Sequence, residues 1–302
     1  MPGVSIGHWT DSEAKTGCTV VLFDRPVLAA VDVRGGAPAT RETDLLAPGR
    51  LVRRVDAILF TGGSAFGLAA ATGVVEVLAA DGRGFPTAAG PVPIVPAAAL
   101  YDLGFGSPRA PGHAEGVAAC QAAGPFAATT RGAVGAGTGA TIGKIRGADR
   151  FRRGGVGLGH ASWSGGTVAA LVAVNAFGDL ARSFGGDERS PATVATSDPR
   201  EDVLASDDHP TPETGTATTL GIVLVNTPCR HEDLVRCAVS AHDGFARSIV
   251  PCHTPFDGDL VFAVGLIEGD ATPVDQFRLC VAAELATERA IADAVATQGI
   301  AP

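Results

Sequence analysis

The chain has 302 residues, 46% of them hydrophobic and 18% charged, which is enough for one large or two smaller globular domains. A formal net charge of −9 argues against nucleic acid or an anionic membrane as a partner. No apolar run reaches membrane-spanning length and no signal pattern follows Met1, so we expect a cytoplasmic protein.

β-prone apolar runs predict seven strands, and periodic apolar positions predict four helices. In chain order, the strands are expected at 18–23, 27–33, 57–60, 156–162, 167–174, 219–225 and 260–264. The helices are expected from an N-cap at Ser64 to Gly82, at 113–123, at 230–247, and after a Thr272 cap with Pro273 and Asp275 in the first turn. The last helix carries one stripe of larger apolar residues, namely Val274, Phe277, Val281 and Leu285. This mixture lacks a strict βαβ rhythm and favours a layered sheet-and-helix sandwich over a barrel.

The composition of the chain changes abruptly from polar to apolar at residue 218. Residues 182–217 are polar, acidic and Pro-bearing, which predicts a solvated linker, and an apolar run from Thr218 to Asn226 follows. Cleavage before Thr218 would make its Oγ a nucleophile, with the new α-amine beside it as base. The alternative is an exposed loop that simply enters a strand.

Two glycine-rich segments invite functional interpretations that fail in detail. In 132–144, a phosphate-binding loop would need Gly in place of Thr138 and Ser or Thr in place of Ile145. In 61–67, the window around the serine ends in Phe66, so a nucleophile elbow is absent. The glycines of 132–144 still predict a close backbone approach to another segment or to a ligand.

Three polar positions next to predicted strands are candidates for chemistry. Asn175 closes an apolar strand, where its amide could donate to an oxyanion or merely end the strand. Asp257 and Asp259 precede another strand and lie on one side of it if the chain is extended. Such a pair could orient an amine and shift its pKa, or form a solvated turn.

Metal binding is not expected, and neither is any other cofactor. The six cysteines contain no C-x-x-C pair and have mostly apolar neighbours, which indicates buried reduced thiols. A zinc site is conceivable but lacks familiar spacing; its ligands would be Cys229, His231, Cys252 and His253.

Together, these pieces resemble the self-processing DmpA-type aminopeptidases and, within them, the NylC-type 6-aminohexanoate-oligomer hydrolases. The matching blocks span nearly the whole chain: 7–11, 34–43, 61–67, 132–144, 174–175 with 178–179, 218–220 and 256–259. The resemblance implies a four-layer αββα sandwich of the DmpA and ornithine acetyltransferase type. It also implies a single domain, 1–302, that cuts itself into an alpha chain, 1–217, and a beta chain, 218–302. The two chains would stay associated, commonly in a tetramer of such pairs.

The resemblance also assigns functional residues. They are Thr218 as nucleophile, Lys144 as the lysine of the NylC-like branch, Asn175 as the active-site asparagine, and Asp257 with Asp259 as the paired aspartates. One position departs from the NylC-like pattern, because Ala217 stands where those proteins carry Asn before the cut. DmpA-type relatives vary there, so cleavage is still expected.

The implied activity is amide hydrolysis through an acyl-enzyme on Thr218, with 6-aminohexanoate oligomers or short peptides as substrates. In that scheme Asn175 and a backbone N–H hold the oxyanion, and Lys144 keeps the new amine neutral. Three alternatives remain: an aminopeptidase or β-aminopeptidase acting on small N-terminal residues, an acyltransferase resembling ornithine acetyltransferase, and a non-catalytic binding protein.

Overall fold

The computed structural model describes residues 1–147, 151–181, 198–205, 216–267 and 275–297. In chain order, its strands are β1 Val4–Asp11, β2 Thr16–Val33, β3 Ala39–Arg41, β4 Arg54–Thr61, β5 Ala97–Ala99, β6 Gly124–Pro125, β7 Thr141–Ile142, β8 Arg152–Arg153, β9 Gly155–Trp163, β10 Gly166–Asn175, β11 Asp179–Leu180, β12 Thr218–Val225, β13 Ile249–Val250 and β14 Leu260–Gly265. Its α-helices are α1 Ser64–Gly67, α2 Ala70–Ala80, α3 His113–Gln121, α4 Pro199–Ala205, α5 His231–Ser248 and α6 Gln276–Ala296. None of these helices has the length and apolar character needed to cross a bilayer.

One large sheet of ten strands organises the molecule. Its main path has the order β3-β5-β4-β2-β14-β12-β10-β9; β1 pairs with β2, and β6 pairs with β1. The 18-residue strand β2 shifts register between Leu22 and Val27. Before the shift it lies between β1 and β4, and after it residues 28–33 pair with β14. β2 therefore connects two halves of the sheet.

The side chains of each strand alternate between two apolar cores, as a period of two requires. In β12, Val223 and Val225 pack towards α5 and α6, whereas Ile222 and Leu224 enter the space between the sheet halves. Leu59 of β4 packs on the other side, against α2 and α3. Three cores thus separate four layers, helix, sheet, sheet and helix, and the αββα sandwich is confirmed.

The seven predicted strands are all present. The two runs at 18–23 and 27–33 are consecutive parts of β2, because the register shift bends the strand without ending it. The sequence failed to predict β1, which has Gly7 and several polar residues where a strong strand signal would have apolar ones. A close backbone approach in 132–144 is confirmed: a Cβ on Gly139 would lie 1.9 Å from the Lys15 carbonyl oxygen.

The helix at Ser64 differs from the prediction. Gly63 is its N-cap with φ of +78°, and Ser64 itself has φ of +54° with no side-chain cap hydrogen bond. Ser64 is held instead by its backbone N–H, which donates to the Leu100 carbonyl oxygen at 2.9 Å. The expected continuous helix is divided into α1 and α2. The expected helices at 113–123 and 230–247 are confirmed as α3 and α5.

The final helix is present, but its apolar stripe does not face the core. Phe277 is 79% exposed and Val281 is 46% exposed. The buried face consists mainly of small residues, namely Leu279, Ala282, Ala283, Ala286, Thr287, Ala290, Ile291 and Ala294. Asp275 caps the helix by accepting from the Arg278 N–H at 3.1 Å. Thr272, Pro273 and Val274 lie outside the described residues.

The predicted linker 182–217 is described only in part. α4 occupies 199–205, and residues 182–197 and 206–215 lie outside the described residues. The last residue, Ala217, is fully buried, so the expectation of a solvated linker is wrong at its end. The linker enters the protein interior before β12 begins.

Candidate active site

The Ala217–Thr218 peptide bond is buried at the start of β12. Ala217 is 0% exposed and Thr218 is 3% exposed. Ala217 forms a parallel bridge with Asp257, and the Gly258 N–H donates to the Ala217 carbonyl oxygen at 3.0 Å. Thr218 Oγ1 donates to the same oxygen at 2.5 Å. This buried carbonyl oxygen therefore has one backbone donor, the Gly258 N–H, which is the kind of group that stabilises an oxyanion, and the Thr218 hydroxyl lies beside it.

A glycine is needed at 258 because the backbone lies against the Thr218 hydroxyl. A Cβ there would lie 2.7 Å from Thr218 Oγ1 and 2.8 Å from the Ala37 carbonyl oxygen. Both distances are shorter than ordinary van der Waals contact. Gly258 thus allows its own N–H to reach the Ala217 carbonyl.

Asn175 lies directly opposite Thr218 in the antiparallel β10–β12 pair. Its Nδ2 donates to the Tyr101 carbonyl oxygen at 2.8 Å, and its Oδ1 accepts from the Thr141 N–H and from Lys144 Nζ. The amide is therefore oriented by three partners. In the intact chain Asn175 Nδ2 is engaged by the Tyr101 carbonyl oxygen, and the donor on the Ala217 carbonyl oxygen is the Gly258 N–H, so the oxyanion role of Asn175 stays a prediction.

Lys144 is held on the asparagine. Its Nζ donates to Asn175 Oδ1 at 2.9 Å and to the Asn175 carbonyl oxygen at 3.1 Å. The Thr141 and Ala176 carbonyl oxygens lie at 3.0 and 3.2 Å. Burial lowers the pKa of Lys144 to about 7, against the opposing charges of Asp257 and Asp259. The amine can therefore exchange a proton near neutral pH.

The two aspartates hold backbone segments close to Thr218. Asp257 accepts from the Phe177 N–H on Oδ1, and on Oδ2 from the Thr254 N–H and hydroxyl. Asp259 Oδ1 accepts from the Thr219 N–H at 2.6 Å. Burial, together with the charge of Asp259, raises the pKa of Asp257 to about 6. One carboxylate thus holds the chain after Asn175, and the other holds the residue after Thr218.

The structure brings all the predicted residues to one place, the ends of β10, β12 and β14. Sequence reasoning missed three that belong there. Gly258 supplies a backbone donor, Tyr101 orients Asn175, and the His253 ring contacts Asp259 at 2.9 Å. One signal was available: Tyr101 is the only tyrosine of the chain.

The zinc alternative is not supported by the side-chain arrangement. His231 Nε2 contacts the Leu46 carbonyl oxygen, and His253 Nδ1 contacts Asp259. Within the described ranges, no group of three or more His, Cys, Asp or Glu side chains is placed to hold a metal ion.

The comparisons with known proteins agree with this architecture. An uncharacterised aminopeptidase of Mycobacterium leprae is 40% identical over 297 residues, covering 90% of this chain and 79% of that protein. A 6-aminohexanoate-oligomer endohydrolase of Kocuria sp. is 30% identical over 277 residues, covering 89% and 75%. The solved L-aminopeptidase D-Ala-esterase/amidase of Ochrobactrum anthropi, described as a variant of the Ntn-hydrolase fold, has a TM-score of 0.65. It is 18% identical and the alignment covers 97% of this chain and 84% of that one.

The layers and the strand ends define an αββα hydrolase fold of the Ntn type. The chain matches one family along residues 1–299, and it belongs to peptidase family S58. It is accordingly a hydrolase of peptide or amide bonds.

Proposed function

We propose that the chain is the precursor of an N-terminal-threonine amide hydrolase that cuts its own Ala217–Thr218 bond. The products are an alpha chain, 1–217, and a beta chain, 218–302, which begins with the nucleophile. The observation that carries this proposal is the buried Ala217 carbonyl, whose oxygen accepts from the Gly258 N–H and from Thr218 Oγ1.

Burial of the bond favours cleavage from within. A protease needs its substrate bond in an extended, accessible segment, and such sites are normally exposed loops. Ala217 and Thr218 are 0% and 3% exposed, so another enzyme has no access to this bond in the folded protein. A hydroxyl that already contacts the carbonyl needs no such access.

The chemistry follows in two steps. Thr218 Oγ adds to the Ala217 carbonyl carbon, and the C–N bond breaks as the hydroxyl proton passes to the Thr218 nitrogen, leaving an ester and a free α-amine. Water then hydrolyses the ester, which restores the hydroxyl and leaves a carboxylate on Ala217. The Gly258 N–H stabilises the oxyanion, a contribution of about 3–4 kcal/mol per donor in comparable sites.

In the mature enzyme, the Thr218 α-amine acts as base for its own hydroxyl. An α-amine has an ordinary pKa near 8 and is partly neutral at physiological pH. Lys144 Nζ contacts Asn175, which lies opposite Thr218 in the β10–β12 pair. Its positive charge disfavours protonation of the Thr218 amine. Substrate amides are then attacked by Oγ to give an acyl-enzyme.

The substrates we propose are short peptides and linear 6-aminohexanoate oligomers. Support comes from the names of the relatives, an aminopeptidase at 40% identity and an oligomer endohydrolase at 30%. Both substrate classes contain secondary amide bonds, which an acyl-enzyme mechanism can cleave.

The first prediction tests the cut. Purified protein should give denatured bands of about 22 and 8.5 kDa, in proportion to the 217 and 85 residues of the 30.3 kDa chain. Thr218→Ala should stay as one band and show no amidase activity, because the nucleophile is absent. Thr218→Ser is the matched control, since it keeps a hydroxyl and should still be cut.

The mature protein is then assayed on short α-peptides, β-peptides and 6-aminohexanoate oligomers in parallel. Hydrolysis of at least one class, lost in Thr218→Ala, is expected. An intact band after long incubation, or full amidase activity in Thr218→Ala, would remove Thr218 from the mechanism.

A further inference from the structure

His253 lies beside the site and has no role in the chemistry above. Its Nδ1 is 2.9 Å from Asp259 Oδ2, and its backbone N–H donates to the same oxygen at 3.0 Å. The residue has φ of +54°, a left-handed conformation that turns both groups towards one carboxylate. Among the described residues, Nε2 is buried without a hydrogen-bond partner, so Nδ1 makes the hydrogen bond that orients the ring, while His242 packs against it.

The other oxygen of the Asp259 carboxylate contacts the backbone next to Thr218. Asp259 Oδ1 accepts from the Thr219 N–H at 2.6 Å, one residue after Thr218. The chain of contacts therefore runs from the His253 ring through Asp259 to the backbone that carries the hydroxyl. Asp259 is 1% exposed, so these contacts are shielded from water.

We propose that His253 is a positioning residue, which pairs with Asp259 and so holds that carboxylate on the backbone beside the Thr218 nucleophile. This inference rests on the proposed function. It assigns to the buried cluster a second cation besides Lys144, so that two cations face two carboxylates.

The surroundings of His253 favour its charged form. Burial acts to lower its pKa, but the hydrogen bond and charge of Asp259, with a contribution from Cys252, raise it to about 9. From α5, His242 packs edge-to-face at 4.7 Å, and burial lowers its pKa to about 4, so it is neutral and does not repel. Asp32 and Arg34 reach this group only through His242.

Loss of the His253 charge should shift the pH dependence of activity in one direction. Without it, the cluster beside the Thr218 amine has one positive charge fewer, which favours the ammonium form of that amine. The amine is the base only when neutral, so the acidic limb of the activity profile moves to higher pH. Above about pH 9 His253 itself is neutral, so the difference disappears there.

The second prediction uses His253→Asn in the full-length, self-cleaved protein. Asn tolerates the left-handed backbone and keeps an N–H near Asp259, but carries no charge. We expect kcat/KM at pH 6.5 to fall about tenfold, the limb to move by about one pH unit, and the profiles to converge above pH 9. His113→Asn is the matched control, because that ring pairs with Glu76 on the surface; its profile should equal the wild type.

An unshifted profile, or an equal loss at every pH, would overturn the role of His253. If His253→Asn is not cut, the uncut Thr218→Ala protein is titrated by NMR, with His253 assigned from its absence in the double variant. An imidazole that titrates near pH 9 supports the pairing, and one below pH 7 overturns it. Failure of the proposed function would look different: the wild type itself would stay uncut and inactive.

Discussion

At the scale of single residues, the position that limits the site most tightly is a glycine. Gly258 contributes only backbone, yet its N–H reaches the Ala217 carbonyl and its missing Cβ leaves room for Thr218 Oγ1. The geometry around the Ala217–Thr218 bond therefore depends on the lack of a Cβ at position 258. Sequence alone placed Gly258 in the block 256–259 but could not say which atoms lie against it.

The third prediction is that Gly258→Ala slows self-cleavage and turnover by about 10–100-fold. The new methyl group at 2.7 Å must displace the hydroxyl or the loop, and either movement weakens an oxyanion donor whose full loss costs about 10²–10³-fold. The appearance of the small fragment over time measures the effect. Gly124→Ala is the control, because a Cβ there meets nothing within 4 Å. A Gly258→Ala protein that matures at the wild-type rate would refute this account of the carbonyl.

The sequence identified the residue types of the site better than their contacts. The residue pattern singled out Thr218, Asn175 and both aspartates as polar positions beside predicted strands, and the family resemblance added Lys144 and the role of each residue. The partners of Asn175 were not predictable. They come from Tyr101 and Thr141, 74 and 34 residues away, and only the folded sheet brings them together.

At the scale of elements, each apolar run that was predicted as a strand is one. The large apolar residues of α6, in contrast, predicted the wrong buried face for that helix. The buried face of α6 is rich in alanine because β9 approaches it closely: a Cβ on Gly157 would lie 2.1 Å from the Ala290 carbonyl oxygen, and one on Gly159 would lie 2.1 Å from that of Ala286. Bulky side chains have no space at such an interface. The amphipathic pattern read from large residues therefore pointed to the opposite face.

The fourth prediction compares two truncations on α6. Ile291→Ala should lower the free energy of unfolding by about 2–5 kcal/mol, since Ile291 is 0% exposed in the core. Phe277→Ala should change it by no more than about 0.5 kcal/mol, since Phe277 is 79% exposed. Urea unfolding of both variants, in a Thr218→Ala background to keep one chain, gives the comparison. A larger loss of unfolding free energy for Phe277→Ala than for Ile291→Ala would mean that the apolar stripe predicted from sequence faces the core.

At the scale of the whole molecule, the two segments on either side of the proposed cut share one sheet. The strands β12 and β14 of the beta chain lie between β10 and β2 of the alpha chain. Eight residue pairs join β10 to β12 and six join β14 to β2. Helix α6 of the beta chain also covers β9 and β10 of the alpha chain, and α5 covers β2. Cleavage of one peptide bond removes none of these contacts.

The fifth prediction is that the cut chains cannot be separated while the protein is folded. Their strands alternate in the sheet, so release of residues 218–302 requires breaking two hydrogen-bonded ladders and exposing two apolar cores. Gel filtration in native buffer should give both fragments in one peak, and in denaturant two peaks. The uncut Thr218→Ala protein provides the reference elution volume. A small fragment that elutes alone in native buffer would contradict the interleaved sheet.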